Sequence, residues 1–138
     1  MACIICSNDL QQIYSIGVNG GPKGIEGLEC LCESDLTKYS CIHAEANALT
    51  KLQVRVPNKI MICSMQPCLQ CASLITNEPG GFEAVLFLHR CKDTRSIAVL
   101  NAAGIKTGYL KDDGEVYWWE WAGSLQHGCV TIANNSHL

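Results

Sequence analysis

The order of apolar runs and chain breakers predicts an α/β domain, built on a five-stranded mixed sheet whose last strands run parallel. Three observations predict it. Short apolar runs alternate with longer segments of helical spacing. Each later strand is reached only through such a segment, and a helical crossover makes neighbouring strands parallel. Pro, Gly and Asn clusters mark the boundaries between them.

Ala2–Cys6 reads as a short apolar strand closed by the polar turn Ser7–Asp9. Ile13–Val18 reads as a second strand, which enters the glycine-rich stretch Asn19-Gly20-Gly21-Pro22-Lys23-Gly24. Residues 25–40 read as a long loop, and loops of that length inside a compact domain are usually functional. Ile42–Leu52 has helical spacing, with Ala46, Leu49 and Leu52 falling towards one side. A turn at Pro57-Asn58 leads into a strand at Lys59–Ser64, and Pro67 suits the first turn of a helix running to Thr76. After Pro79-Gly80-Gly81, Ala84–Leu88 is continuously apolar, as a strand buried on both faces should be. Thr94–Ala103 reads as a helix closed by Gly104, and Ile105–Leu110 as the last strand. No repeat, low-complexity run or linker divides the chain, so residues 1–138 are expected to form a single domain. Its core should lie at 2–110, followed by an aromatic extension at 111–138.

Of the 138 residues, 48% are hydrophobic and 17% charged, a balance that argues against disorder. A net charge of −3 gives no general attraction for nucleic acid or an anionic membrane, so neither polynucleotide nor membrane is an expected partner. A phosphate can still be held locally. No run approaches transmembrane length, and the apolar start lacks a basic leader, so a cytoplasmic location is expected. The ten cysteines then read as metal ligands and small buried hydrophobes rather than as a secreted disulfide scaffold.

The chemistry concentrates in two short motifs, His43-Ala44-Glu45 and Pro67-Cys68-Leu69-Gln70-Cys71. Cys68 and Cys71 are one helical turn apart at a helix start, where unpaired N–H groups and the dipole favour thiolates. With His43 they make three ligands for a zinc ion and leave the fourth tetrahedral position for water. Two thiolates offset the metal's charge and should acidify that water less than three histidines would, so a nearby base is needed. Glu45 is the candidate base; in the zinc-dependent deaminases, whose H-x-E and P-C-x-x-C signature these motifs match, it would take the water's proton, protonate ring N3 as hydroxide attacks C4, and help ammonia depart. A lone C-x-x-C also suits a redox pair or half of a structural zinc site. The combination with His-x-Glu matches the signature of zinc-dependent deaminases.

Beyond these motifs the chain resembles deoxycytidylate deaminases over about residues 2–110. Ala2-Cys3-Ile4-Ile5 is similar to that family's first strand, and Ile16-Gly17-Val18-Asn19-Gly20-Gly21-Pro22-Lys23-Gly24 to its G-Y-N-G-x-P-x-G loop. Tyr39-Ser40-Cys41-Ile42-His43-Ala44-Glu45-Ala46-Asn47-Ala48 resembles its segment ending in H-A-E-x-N-A, and Ala102-Ala103-Gly104-Ile105 the close of its last helix. The resemblance implies a cytidine-deaminase-like three-layer α/β/α sandwich and conversion of dCMP to dUMP. It implies that Asn19 bonds the sugar, that backbone groups of Ser64, Met65 and Gln66 read the base, and that Asn47 faces the same pocket. Lys92, which stands where the family often has Arg, and Lys23 in the glycine-rich loop are the phosphate candidates. A homo-oligomer, commonly a hexamer, is also implied, with Mg²⁺ only where a nucleoside triphosphate effector binds.

The chain departs from the family at Val18, where a Tyr is usual, and at Cys91-Lys92-Asp93, where Tyr-Arg-Asp is frequent. Acceptance of dCTP or a modified cytosine nucleotide therefore stays open, as do a tRNA or single-stranded DNA deaminase and an inactive zinc-stabilised interaction module. Cys30, Cys32, His89 and Cys91 form a candidate set for a second, structural zinc. The family's helix before the first strand is expected to have no counterpart here. Val116-Tyr117-Trp118-Trp119-Glu120-Trp121, with Tyr117, Trp119 and Trp121 on one side, is therefore expected to act as a structural cover or interface.

Overall fold

The computed structural model describes residues 1–23, 41–121 and 130–137; the long loop read at 25–40 lies outside the described residues, and with it Cys30 and Cys32. Ten elements follow in chain order: β1 (Ala2–Cys6), β2 (Ile13–Val18), α1 (Ala44–Lys51), β3 (Lys59–Met65), α2 (Leu69–Thr76), β4 (Phe82–His89), α3 (Arg95–Ala102), β5 (Lys106–Leu110), β6 (Glu115–Trp121) and β7 (Val130–His137). The strands form one sheet in the order β2-β1-β3-β4-β5-β6-β7. β3, β4 and β5 are parallel, as the helical crossovers require, and the remaining neighbours are antiparallel.

The five strands read from the sequence are all present, and the sheet has seven among the described residues. The extra two come from the aromatic tail. Its alternation does make a strand, but β6 adds to the edge of β5 instead of lying across a sheet face. Tyr117 then stacks on Tyr109 with ring centres 6.3 Å apart, and Trp119 tilts against Phe87 at 5.3 Å. Edge addition satisfies the β5 backbone groups as well as the aromatic surface, which a cover laid over the face would not.

The period-2 alternation of the strands divides the apolar side chains between two faces. On one face Cys3, Ile5, Met61, Cys63, Val85 and Phe87 pack with side chains of all three helices, including Ala48, Ile75 and Leu100. On the other, Cys6, Ile60, Ala84, Leu86 and Val116 form a smaller cluster, joined by Trp118. The described helices thus make one layer, and a second helical layer is not among the described residues.

Two local features place α1 and β3. Gly17 on β2 lies so close to α1 that an added Cβ would collide with the Ala44 carbonyl and the Ala48 nitrogen, so only glycine lets this helix settle on the sheet. At the opposite end of β3, fully buried Lys59 is paired with Glu78 at 2.7 Å. Among the described residues, no helix is long and apolar enough to cross a membrane.

Candidate active site

His43 and Cys68 occupy equivalent places, each the residue at which extended backbone turns into a helix. His43 caps α1 in an extended conformation (φ −67°, ψ 153°), yet its side chain makes no capping bond. The imidazole is turned instead to the cysteines, its Nδ1 lying 3.5 Å from Cys68 Sγ and 3.3 Å from Cys71 Sγ. Cys68 is the N-cap of α2, and its sulfur accepts from the Cys71 N–H at 3.4 Å. Pro67 therefore precedes the cap instead of opening the helix, because Cys68 must stay extended (φ −73°, ψ 169°) for its sulfur to reach back over the first turn.

The three donor atoms lie within 4.8 Å of one another. A tetrahedral zinc with Zn–S near 2.3 Å and Zn–N near 2.0–2.1 Å sets N···S edges of about 3.5 Å, so the triad fits the ion without rearrangement. Among the described residues this is the cluster with metal-binding spacing. In the metal-free protein, burial raises the Cys71 thiol well above its ordinary range, and the charges of Glu45 and Cys68 add to the effect. A zinc ion reverses that balance by binding the thiolate, so folding at this site and metal binding are coupled.

Glu45, in the first turn of α1, is only 8% exposed. It lines a cavity of about 500 Å³ together with His43, Cys68, Met65 and Gln66. That volume falls in the ~300–1,000 Å³ range of small-molecule sites. A further wall comes from the β4–α3 connection, with Cys91 and Asp93, and from the first turn of α3, with Arg95 and Ser96. Asp93 and Arg95 make a two-pronged ion pair, with Nε and Nη2 of Arg95 donating to the carboxylate at 3.0 and 2.6 Å. Sequence reading missed this pair, since two exposed charges two residues apart give no periodic signal; only the position of the connection at the carboxyl end of β4 marks it.

The remaining sequence candidates have these partners in the structure. Asn19 accepts from the Met1 nitrogen at 2.8 Å, Asn47 donates to the Val18 carbonyl at 2.9 Å, and the Ser64 hydroxyl accepts from the Ala2 N–H at 3.0 Å. These three tie the ends of β1 and β2 to α1 and β3, and none of them lines the cavity. The Gln66 N–H donates to the His89 carbonyl at 2.8 Å. Lys23 is exposed away from the cavity wall. Lys92 lies in an adjoining depression of about 390 Å³ with His89, Arg90, Cys91 and Tyr109, where Arg90 sits 4.9 Å over the Tyr109 ring. Of the second-zinc set, His89 and Cys91 are exposed side chains in that depression, and the other two fall outside the described residues.

Three protein donors, which leave a tetrahedral ion its fourth position, beside a buried carboxylate on a cavity wall, make the arrangement that hydrolytic zinc enzymes use. Comparison with known proteins gives the same class. Residues 1–88 match the model of the cytidine and deoxycytidylate deaminase zinc-binding region, and the chain belongs to that family. A deoxycytidylate deaminase of Schizosaccharomyces pombe is 29% identical over 130 residues; the match takes in 85% of this chain but only 39% of that protein's length. The crystal structure of the dCMP deaminase of cyanophage S-TIM5 in complex with dCMP and dUMP is 27% identical, with a TM-score of 0.68 and 79% of each chain covered. The apo form of that enzyme is similar at 25% identity and a TM-score of 0.64, again over 79% of each chain. The chain thus carries the zinc-binding region of that family, with His43, Cys68 and Cys71 as its metal-binding triad.

Proposed function

We propose that the protein deaminates a free cytosine deoxynucleotide, with dCMP as the preferred substrate and dUMP and ammonia as products. The observation that carries the reading is the buried Glu45 carboxylate on the same cavity wall as His43 and Cys68. Zinc supplies the positive charge that makes a water molecule nucleophilic near neutral pH. Glu45 accepts the water's proton, delivers it to ring N3 as oxygen adds to C4, and then assists loss of the amino group as ammonia. The balance is water plus a C4 amine giving a C4 carbonyl and ammonia. An inactive zinc module has no use for a buried carboxylate beside its metal.

The similarity to a structure that holds dCMP and dUMP supports a nucleotide substrate. So does the basic depression on the far side of Cys91, where Arg90, Lys92 and His89 stand together with no carboxylate in the lining. Lys92 is the proposed phosphate contact there, and Lys23 a secondary candidate. The same depression has room for further phosphates, which favours dCTP as the second reading. A net charge of −3 supports neither tRNA nor single-stranded DNA. The active form is proposed to be a homo-oligomer.

The test is selectivity. Values of kcat/KM for dCMP, deoxycytidine, dCTP and a cytosine-containing oligonucleotide should rank dCMP first, and Lys92→Ala should lower the dCMP value about tenfold or more while sparing deoxycytidine. Equal values for deoxycytidine and dCMP would overturn the nucleotide reading.

A further inference from the structure

Gln66 is buried between the zinc-ligand turn and the β4–α3 connection, and its side chain is fully committed to the latter. Its Nε2 donates to the Asp93 carbonyl at 2.6 Å and approaches the Ser96 hydroxyl at 3.4 Å, while its Oε1 accepts from the Cys91 N–H at 3.0 Å. The backbone adds one further bond, from Gln66 N–H to the His89 carbonyl. Apart from the bonds to the adjoining α3, made by Arg95 to Asp93 and by the Ala98 N–H to the Thr94 carbonyl, the hydrogen bonds found among the described residues between the β4–α3 connection and another element come from Gln66. This connection carries Cys91 and Asp93 into the wall of the catalytic cavity, where Arg95 at the start of α3 joins them, and Cys91 is also the shared wall of the basic depression. One buried amide therefore links the partition between the two spaces to the zinc-ligand turn, two residues before zinc ligand Cys68.

We infer that Gln66 is a positioning residue: its carboxamide clamps the connection between β4 and α3 at a fixed distance from the zinc site, and so sets the width of the substrate cavity and the fit of the substrate. An amide suits the task because it donates and accepts at once; a carboxylate has no proton to give and an apolar side chain has neither group. The bonds are buried, where a lost partner leaves polar groups unsatisfied. Without them, the connection is free to shift relative to His43, Glu45 and the two cysteines, which are held by α1 and α2. Loss of the clamp should therefore weaken substrate binding more than it slows the chemical step.

The kinetic part of the test rests on the dCMP reading, and the exchange part does not. In the wild-type zinc enzyme the Cys91 amide should exchange with deuterium at least tenfold more slowly than an unprotected loop amide, although the residue is exposed. In Gln66→Met, which keeps the side-chain volume and removes every side-chain bond, peptides covering Cys91–Ser96 should exchange at least tenfold faster. Peptides carrying His43–Ala48 and Cys68–Thr76 should be unchanged, and zinc content should stay at one per chain. The KM for dCMP should rise tenfold or more, with kcat within about threefold of wild type. An unprotected Cys91 amide in the wild type overturns the clamp, a result that needs no variant to fold. Loss of zinc, or a fall in kcat at constant KM, would place Gln66 in support of the metal turn and overturn the proposal. A wild-type enzyme that ignores dCMP but shows the exchange pattern overturns the substrate reading and upholds the clamp.

Discussion

Asp93 is held by the Arg95 guanidinium and by the Arg95 N–H, which together keep its carboxyl down at about 2. An NMR titration of this carboxyl should therefore show a midpoint near 2, returning towards the usual value of about 3.9 in Arg95→Ala. The folded value lies below the unfolded one. Whatever the pair adds to stability is thus complete above the unfolded value and is lost as pH falls towards 2, and exposure of both groups keeps that contribution small. A midpoint unmoved by the substitution would contradict the assignment. At the metal, Cys68→Ala removes both a ligand and the cap of α2, so zinc per chain should fall from one towards zero and the melting temperature should drop with it, as metal analysis and calorimetry would show. The metal ligands were legible in the sequence because ligand spacing is a local property of two helix starts. The hydrogen bonds that Asn19, Asn47 and Ser64 make within the fold were not, because a half-buried polar residue has the same appearance in a sequence whichever partner it takes.

Elements in this protein are positioned by close approach as much as by pattern. Gly17→Ala should cost about 1–3 kcal/mol by overpacking against Ala44 and Ala48, and should lower zinc affinity by displacing the helix that carries His43. Denaturant unfolding together with competition against a chelator would measure both; a variant as stable as wild type would mean that α1 is held by other contacts. The tail gives a second prediction. A chain ending after Asp113 loses β6 and β7, exposes the β5 edge and strips Trp119 from Phe87, so it should aggregate or unfold. A truncated chain that stayed folded, with its oligomeric state unchanged, would show that the two added strands are dispensable. The strands and helices themselves were readable to within a residue or two from apolar runs and Pro/Gly breaks. What the alternation of Tyr117, Trp119 and Trp121 left undetermined was the partner. A strand of that pattern suits a sheet edge or a sheet face equally, and the choice is made by the backbone groups that β5 presents.

At the scale of the molecule, parallel strands β3, β4 and β5 bring their carboxyl ends to the side where α2 and α3 begin, and open α/β sheets bind their ligands there. The zinc triad, Glu45, the wall at Cys91–Ser96 and the basic depression all meet on that side. Two motifs far apart in the sequence thus become one site through the β3–α2 turn and the α1–β2 contact. The claim that this site removes the amino group of a free cytosine nucleotide has a direct measurement. dCMP labelled with ¹⁵N at the 4-amino group is incubated with the zinc-loaded wild type and with Glu45→Gln, and ¹⁵N-ammonium is followed by NMR. The wild type should release ammonium in step with dUMP, whereas Glu45→Gln, with its fold and zinc intact, should be slower by at least ~10²–10⁴-fold. No ammonium from the zinc-loaded wild type, or release by the Gln variant at a comparable rate, would contradict the account.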